Sequence, residues 1–380
     1  MKNFQFLFFV IISFSLFNCG GTAQEAPKNT AYTISGTVTE PGENGEVILS
    51  IFDPVSQQKT ALDTAAINSE NNYTLNFEFF EPDLFRVDFP GRQYVMLAID
   101  EGQEKIELNA EGKRNGTVEI KGSPDSEKLL AYDEFRAESN KRLIRPTYDA
   151  MRAAGEYNEN PAEEIKAVEA YVKASKEHRK ELIDFTEKNI ATSVALFGTV
   201  LRWTGDDEVG RLENLVNNFA AAHPDLKMTK VMADKVARYK KVAIGVKVPD
   251  IAENDSSDVI VSLYNAKGKV TLIDFWASWC GPCLRQVPDL LDAYNMYHDK
   301  GFEIFGVSVD SKKDKWKASI KKYGMPWPNV SNLKGWGSKA AADYNVTFIP
   351  FNVLLDEEGN IIAKNLHSKE LQGKLAELLN

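Results

Sequence analysis

Two of the three cysteines in this 380-residue chain share one motif, Cys280-Gly281-Pro282-Cys283. A Cys-x-x-Cys pair exchanges electrons as a dithiol, holds half of a zinc site, or closes a structural disulfide. Zinc takes about four ligands. The sequence has no second cysteine pair, and His298 and His367 stand apart from each other and from the motif. A bridge closing so short a loop constrains the unfolded chain little and contributes little stability. Redox exchange is the expected chemistry, with no cofactor and no metal implied. The elements around the pair suit it. Val270 to Phe275 is an apolar, branched run of strand length, and Val287, Leu290, Leu291 and Tyr294 follow at helical spacing. The dithiol thus falls where a strand hands over to a helix. A cysteine in a helix's first turn faces unpaired N–H groups and the positive end of the dipole, which favours the thiolate. Cys280 is the expected attacking sulfur, and Cys283, about one turn further, the resolving one.

The stretch Asp274-Phe275-Trp276-Ala277, followed by Trp279-Cys280-Gly281-Pro282-Cys283, resembles the active site of the thioredoxin family. Val248-Pro249-Asp250-Ile251 is similar to the entry that opens both TlpA/ResA-type exported thiol-disulfide oxidoreductases and peroxiredoxin-type thioredoxin domains, with Ile251 in place of the usual Phe. The resemblance implies that Asp274 is the buried carboxylate relaying a proton for the resolving cysteine. It also implies that Pro288 is the proline inside the active-site helix and that Pro350 is the cis-proline beside the dithiol. Trp279, Gly281, Pro282 and Ile349 would then meet the substrate, Ile349 through its backbone. Phe351 to Leu355, turning at Asp356 to Asn360, is similar to the family's final hairpin.

The expected organisation is multidomain. Residues 1–19 read as a signal peptide: Lys2 precedes the apolar run Phe4 to Phe17, which is short for a membrane span. Leu16-Phe17-Asn18-Cys19-Gly20 resembles a bacterial lipoprotein signal, in which Cys19 is lipidated, although Asn18 is bulkier than the usual small residue. Cleavage after Gly21-Thr22-Ala23 is the other reading, and both place the protein in the periplasm or cell envelope. Residues 20–30 form a tether. Residues 31–122 show seven short strands between turn signals such as Asn71-Asn72 and Asn115-Gly116, an antiparallel β-sandwich-like pattern. This part resembles the β-rich domain of unknown function that precedes thioredoxin-like domains in some exported proteins. Residues 123–244 read as helical, opening at Ser123-Pro124-Asp125 and again at Asn160-Pro161, with breaks at Thr204-Gly205 and His223-Pro224.

Residues 245–380 alternate strand and helix and are expected to form a C-terminal α/β thioredoxin fold. In this reading Val259 to Tyr264 and Val270 to Phe275 flank a hairpin-like connection, Phe302 to Asp310 is a strand, and Leu371, Leu375, Leu378 and Leu379 line the buried side of a final helix. The net charge of −10 argues against a nucleic-acid partner. Protein disulfides are the expected substrates and a membrane electron donor the expected partner. Gly281-Pro282, the dipeptide of reducing thioredoxins at a potential of about −270 mV, favours reduction or isomerisation over oxidation. The rival readings are an envelope-anchored adaptor using the fold as scaffold and a thiol peroxidase.

Overall fold

The computed structural model describes residues 30–42, 45–53, 58–79, 81–157, 161–203 and 208–380. The expected signal at 1–19, Cys19, nearly all of the tether, the helix start at Asn160 and the break at Thr204-Gly205 lie outside the described residues.

Eight strands open the described chain: β1 (Thr30–Thr37), β2 (Glu46–Phe52), β3 (Lys59–Ala66), β4 (Asn72–Phe79), β5 (Asp83–Asp88), β6 (Tyr94–Ile99), β7 (Lys105–Ala110) and β8 (Val118–Lys121). They form two four-stranded sheets, ordered β4-β1-β7-β8 and β3-β2-β5-β6. Alternation explains the inner faces: Tyr32 and Ile34 of β1 and Tyr73, Leu75 and Phe77 of β4 point into one core with Leu49, Phe85, Val87 and Leu97. The sandwich-like fold stands, with one departure from a fully antiparallel pattern: β1 and β7 pair in parallel. Strand β3 escapes sequence reading because it is a polar edge strand, Lys-Thr-Ala-Leu-Asp-Thr-Ala-Ala, with no apolar alternation.

Six helices follow: α1 (Pro124–Ser139), α2 (Arg145–Tyr157), α3 (Pro161–Asn189), α4 (Ala195–Arg202), α5 (Val209–Ala222) and α6 (Lys227–Lys240). Ser123 caps α1 by accepting from the Ser126 N–H at 3.3 Å. One π-turn, Asn140–Ile144, joins α1 to α2 just before Pro146, whose ring nitrogen cannot donate. Helix α2 carries no sequence cap and went unpredicted as a separate element. Helices α1 and α4 cover the outer face of the second sheet, where Leu84 of β5 and Ala98 of β6 are buried among Leu129, Leu196 and Val200. That is why β5 is buried almost throughout instead of alternating.

The C-terminal part contains β9 (Ala252–Asn254), β10 (Ile260–Ser262), α7 (Leu263–Ala266), β11 (Val270–Trp276), α8 (Gly281–Tyr297), β12 (Phe302–Ser308), α9 (Lys313–Tyr323), β13 (Asn329–Val330), α10 (Lys339–Asp343), β14 (Phe351–Leu355), β15 (Ile361–Lys364) and α11 (Ser368–Leu379). Its main sheet is ordered β13-β12-β11-β14-β15, with β11 parallel to β12 and antiparallel to β14. Every residue of β11 is buried, because it is the central strand of a sheet covered on both faces, which explains why its side chains do not alternate between apolar and polar. The expected hairpin between Val259–Tyr264 and Val270–Phe275 does not form. Both edges of β11 are taken by β12 and β14, so β10 pairs with β9 and the chain turns through α7 instead. Val259 and Ile260 are accordingly exposed. Leu371 and Leu375 of α11 are buried, whereas Leu378, expected beside them, is 38% exposed.

The segment between α6 and β9 is not slack. Gly245 N–H donates to Ile361 O (2.7 Å), Ile361 N–H to Val246 O (2.9 Å) and Val248 N–H to Gly359 O (3.0 Å), so this segment pairs with the turn before β15 and with its first residue. Val242 and Val248 are buried in the C-terminal core.

Candidate active site

Cys280 and Cys283 are joined in a disulfide with an S–S distance of 2.00 Å and Cα atoms 5.3 Å apart. Cys280 is the N-cap of α8 in extended conformation, and its Sγ accepts from the Cys283 N–H at 3.2 Å. Gly281 and Pro282 form the first turn, where a missing proline N–H costs nothing. The sulfur therefore lies at the helix's positive end, against a backbone donor that would stabilise a thiolate. Val287, Leu290, Ala293 and Tyr297 bury the inner face of α8, while Pro288 sits inside the helix. Both cysteines are 5% exposed, within reach of a partner at the surface yet screened from bulk water.

Asp274 lies in β11 opposite Gly306 of β12 and Asn352 of β14. It is buried and makes no ion pair among the described residues, so the lysine partnership that would keep such a carboxylate ionised is missing. Burial alone pushes its pKa to about 7.

The turn from β11 into α8 is held by groups that motif reading passed over. Asp310, two residues past β12 and 1% exposed, accepts from the Ser278 N–H (2.8 Å), the Ser278 hydroxyl (2.6 Å) and the Ser308 hydroxyl (2.8 Å). Its carbonyl accepts from Gly335 N–H at 3.4 Å, tying the loop that carries Trp336 to the same anchor. Trp276 Nε1 donates to Asn329 Oδ1 at 3.1 Å above Gly306, where a Cβ would lie 2.2 Å from that oxygen. Only glycine fits there.

The Ile349-Pro350 peptide bond is cis. The main chain of Ile349 makes no hydrogen bond among the described residues, and its side chain packs against the core. Three aromatics of this domain stand out into solvent: Trp279 (57% exposed), next to Cys280 in the chain, Trp336 (50%) and Phe348 (53%). Trp279 and Trp336 approach to 6.5 Å between ring centroids, and Phe348 meets the buried Phe351 edge-on. Trp336 was missed in sequence because nothing in its spacing ties it to the cysteines. The loop Tyr323 to Pro328 plugs the core, with Met325 and Trp327 buried and Trp327 against Tyr294.

The two histidines weighed as metal ligands are placed separately. His298 Nδ1 lies 3.0 Å from Phe302 O, and His367 Nδ1 lies 3.2 Å from Gln286 Nε2. Burial lowers the His367 pKa to about 4.

A disulfide at the amino end of a helix, packed on this mixed sheet in a domain that also holds a cis-proline, defines a thioredoxin-like thiol-disulfide oxidoreductase. Comparison with known proteins places the chain more closely. The Redoxin family model matches residues 243–379, and a model of a domain of unknown function, DUF4369, matches residues 32–129. The chain is 28% identical over 145 residues to the thiol-disulfide oxidoreductase ResA of Bacillus cereus, covering 37% of this chain and 82% of that protein. It is 31% identical over 147 residues to the thioredoxin-like protein YneN of Bacillus subtilis, covering 36% and 84% respectively. The solved thioredoxin domain of a Bacteroides vulgatus thiol-disulfide oxidoreductase is 36% identical, covers 36% of this chain and 99% of that one, and has a TM-score of 0.35. The chain belongs to the TlpA/ResA-type thioredoxin-like family, with a DUF4369 domain ahead of its redox domain.

Proposed function

We propose that the protein acts outside the cytoplasm and reduces or isomerises disulfides in client proteins through Cys280. The Cys280 thiolate attacks one sulfur of a client disulfide, forming a mixed disulfide and releasing the other client sulfur as a thiolate that takes up a proton. Asp274 accepts the proton of the Cys283 thiol. Cys283 then attacks Cys280 Sγ, expelling the second client thiolate and leaving the Cys280–Cys283 disulfide described here. Two electrons pass to the client, so a membrane dithiol donor must restore the pair. The observation that carries this reading is Cys280 Sγ against the Cys283 N–H at the helix terminus, with the buried Asp274 carboxyl poised to take a proton at about neutral pH.

Trp279, Gly281, Pro282 and the open main chain of Ile349 form the face on which the client lies, its extended segment pairing with Ile349 as a strand adds to an edge. Export rests on the apolar segment Phe4 to Phe17, and envelope anchoring on lipidation at Cys19. The direction rests on Gly281-Pro282 and the absence of histidine between the cysteines.

The full-length protein should reduce insulin with dithiothreitol as donor, and Cys280→Ala should abolish the acceleration. An unchanged rate in Cys280→Ala eliminates the mechanism. Cys283→Ser should accumulate the mixed disulfide in cells, which identifies the client, and mass spectrometry of the mature N-terminus reads whether Cys19 carries lipid.

A further inference from the structure

The helical region contains a cavity of roughly 210 Å³ between α1, α3 and the end of α4. Its polar lining is one-sided. Arg136 comes from α1, His178 and Arg179 from α3, and Arg202 from α4, while no carboxylate is among the lining groups. Asp133 pairs with two of these guanidiniums from outside the lining, at 3.0 Å from Arg202 Nη2 and 3.5 Å from Arg136 Nε. One carboxylate thus faces two cations. Glu181 is engaged elsewhere, accepting from Arg142 and from the Ser139 hydroxyl, which also meets His178 Nδ1 at 2.7 Å.

A second observation points the same way. Tyr132 lines the cavity, is 3% exposed, and its hydroxyl makes no hydrogen bond among the described residues. The hydroxyl borders the cavity and is free to donate to an acceptor placed there. It lies in the fields of Arg136 and Arg202, and the same basic surroundings, after burial, hold His178 toward its neutral form. Leu182, Ile183 and the indole of Trp203 supply apolar walls. Donors and cations around apolar walls match a small organic molecule bearing an oxyanion. The volume, below the roughly 300–1,000 Å³ of ordinary ligand pockets, limits the ligand to a few heavy atoms beyond its charged group.

We propose that this cavity binds a small oxyanion, a carboxylate or phosphate carried on a compact apolar body, through Tyr132 and Arg136 and with Arg202 as fixed counter-charge. The site is independent of the dithiol and assigns a ligand-binding role to the helical region between the β-rich and redox domains.

Calorimetric titration of the full-length protein at constant ionic strength tests it, with benzoate, inorganic phosphate and uncharged benzyl alcohol as probes. Benzoate should bind saturably and benzyl alcohol should not. Tyr132→Phe and Arg136→Gln should each weaken binding by roughly tenfold, the loss of one charge-assisted hydrogen bond, with insulin reduction and melting temperature unchanged. Tyr132→Phe keeps the ring and therefore the packing. Phosphate binding with the same dependence on both residues supports the proposal and names phosphate as the source of the oxyanion. The proposal is overturned if neither anion binds, if benzyl alcohol binds as well as benzoate, or if both variants bind as the parent does.

Discussion

Replacing Asp274 by asparagine should change the pH dependence of stability by a calculable amount. The carboxyl has an ordinary value of 3.8 and is held at about 7 by burial in the folded protein. The folded state therefore keeps a proton that the unfolded chain releases, and the native protein loses stability as pH rises from about 4 to about 7, after which the loss is complete. A gap of about three pH units at 1.36 kcal/mol per unit comes to about 4 kcal/mol. Asparagine has no proton to lose, so the variant should escape this loss. Whatever its amide costs in the buried site is independent of pH. Five of the six tryptophans, Trp276, Trp279, Trp316, Trp327 and Trp336, lie in the C-terminal part, so intrinsic fluorescence reports its unfolding. Urea titrations of the oxidised parent and variant from about pH 4 to about pH 8 should show the variant gaining on the parent by up to about 4 kcal/mol across that window. The gain should be confined to it. A difference that stays constant with pH, or a parent that gains on the variant as pH rises, would refute the assignment of Asp274 as a buried, protonated group. In the same variant the mixed disulfide with a client should persist longer, because the proton acceptor for Cys283 is gone.

Gly306→Ala should push a methyl into Asn329 Oδ1, break the Trp276–Asn329 hydrogen bond, and cost about 1–3 kcal/mol in chemical denaturation; an unchanged midpoint would mean the strand yields freely there. Trp336→Ala should leave stability within about 0.5 kcal/mol, because half of the side chain is in solvent. It should nonetheless slow insulin reduction by roughly three- to tenfold, the scale of one aromatic contact, and leave reduction of oxidised glutathione untouched. Equal slowing on both substrates would show that Trp336 acts on the sulfurs and not on the client.

The redox centre was readable because its chemistry is local: a strand, a four-residue motif and a helix cap lie within Val270 to Tyr297. Asp274 and Pro350 entered through the resemblance, which fixes positions that spacing alone does not. What stayed hidden depends on contacts between distant segments. Asp310 reads as one acidic residue among many until Ser278 and Ser308 close on it. Trp336 meets Trp279 only through the fold of the loop that carries it. The hairpin expected before β11 failed for a related reason. Local pattern marked two extended runs, and the competition for the edges of β11 was decided by β12 and β14 from further along the chain. β3 and α2 were invisible because an edge strand and a helix entered through a π-turn need neither apolar alternation nor a cap.

The pairing of residues 245–248 with Gly359 to Ile361, where β15 begins, decides where this protein can be cut. A gene fragment beginning after Val248 would leave the backbone of Gly359 and Ile361 unpaired where β15 begins and remove Val242 and Val248 from the interior, an exposed margin that invites self-association. A fragment that starts within α6 keeps that margin closed. Limited proteolysis should likewise spare this junction, because its backbone is already engaged along the sheet.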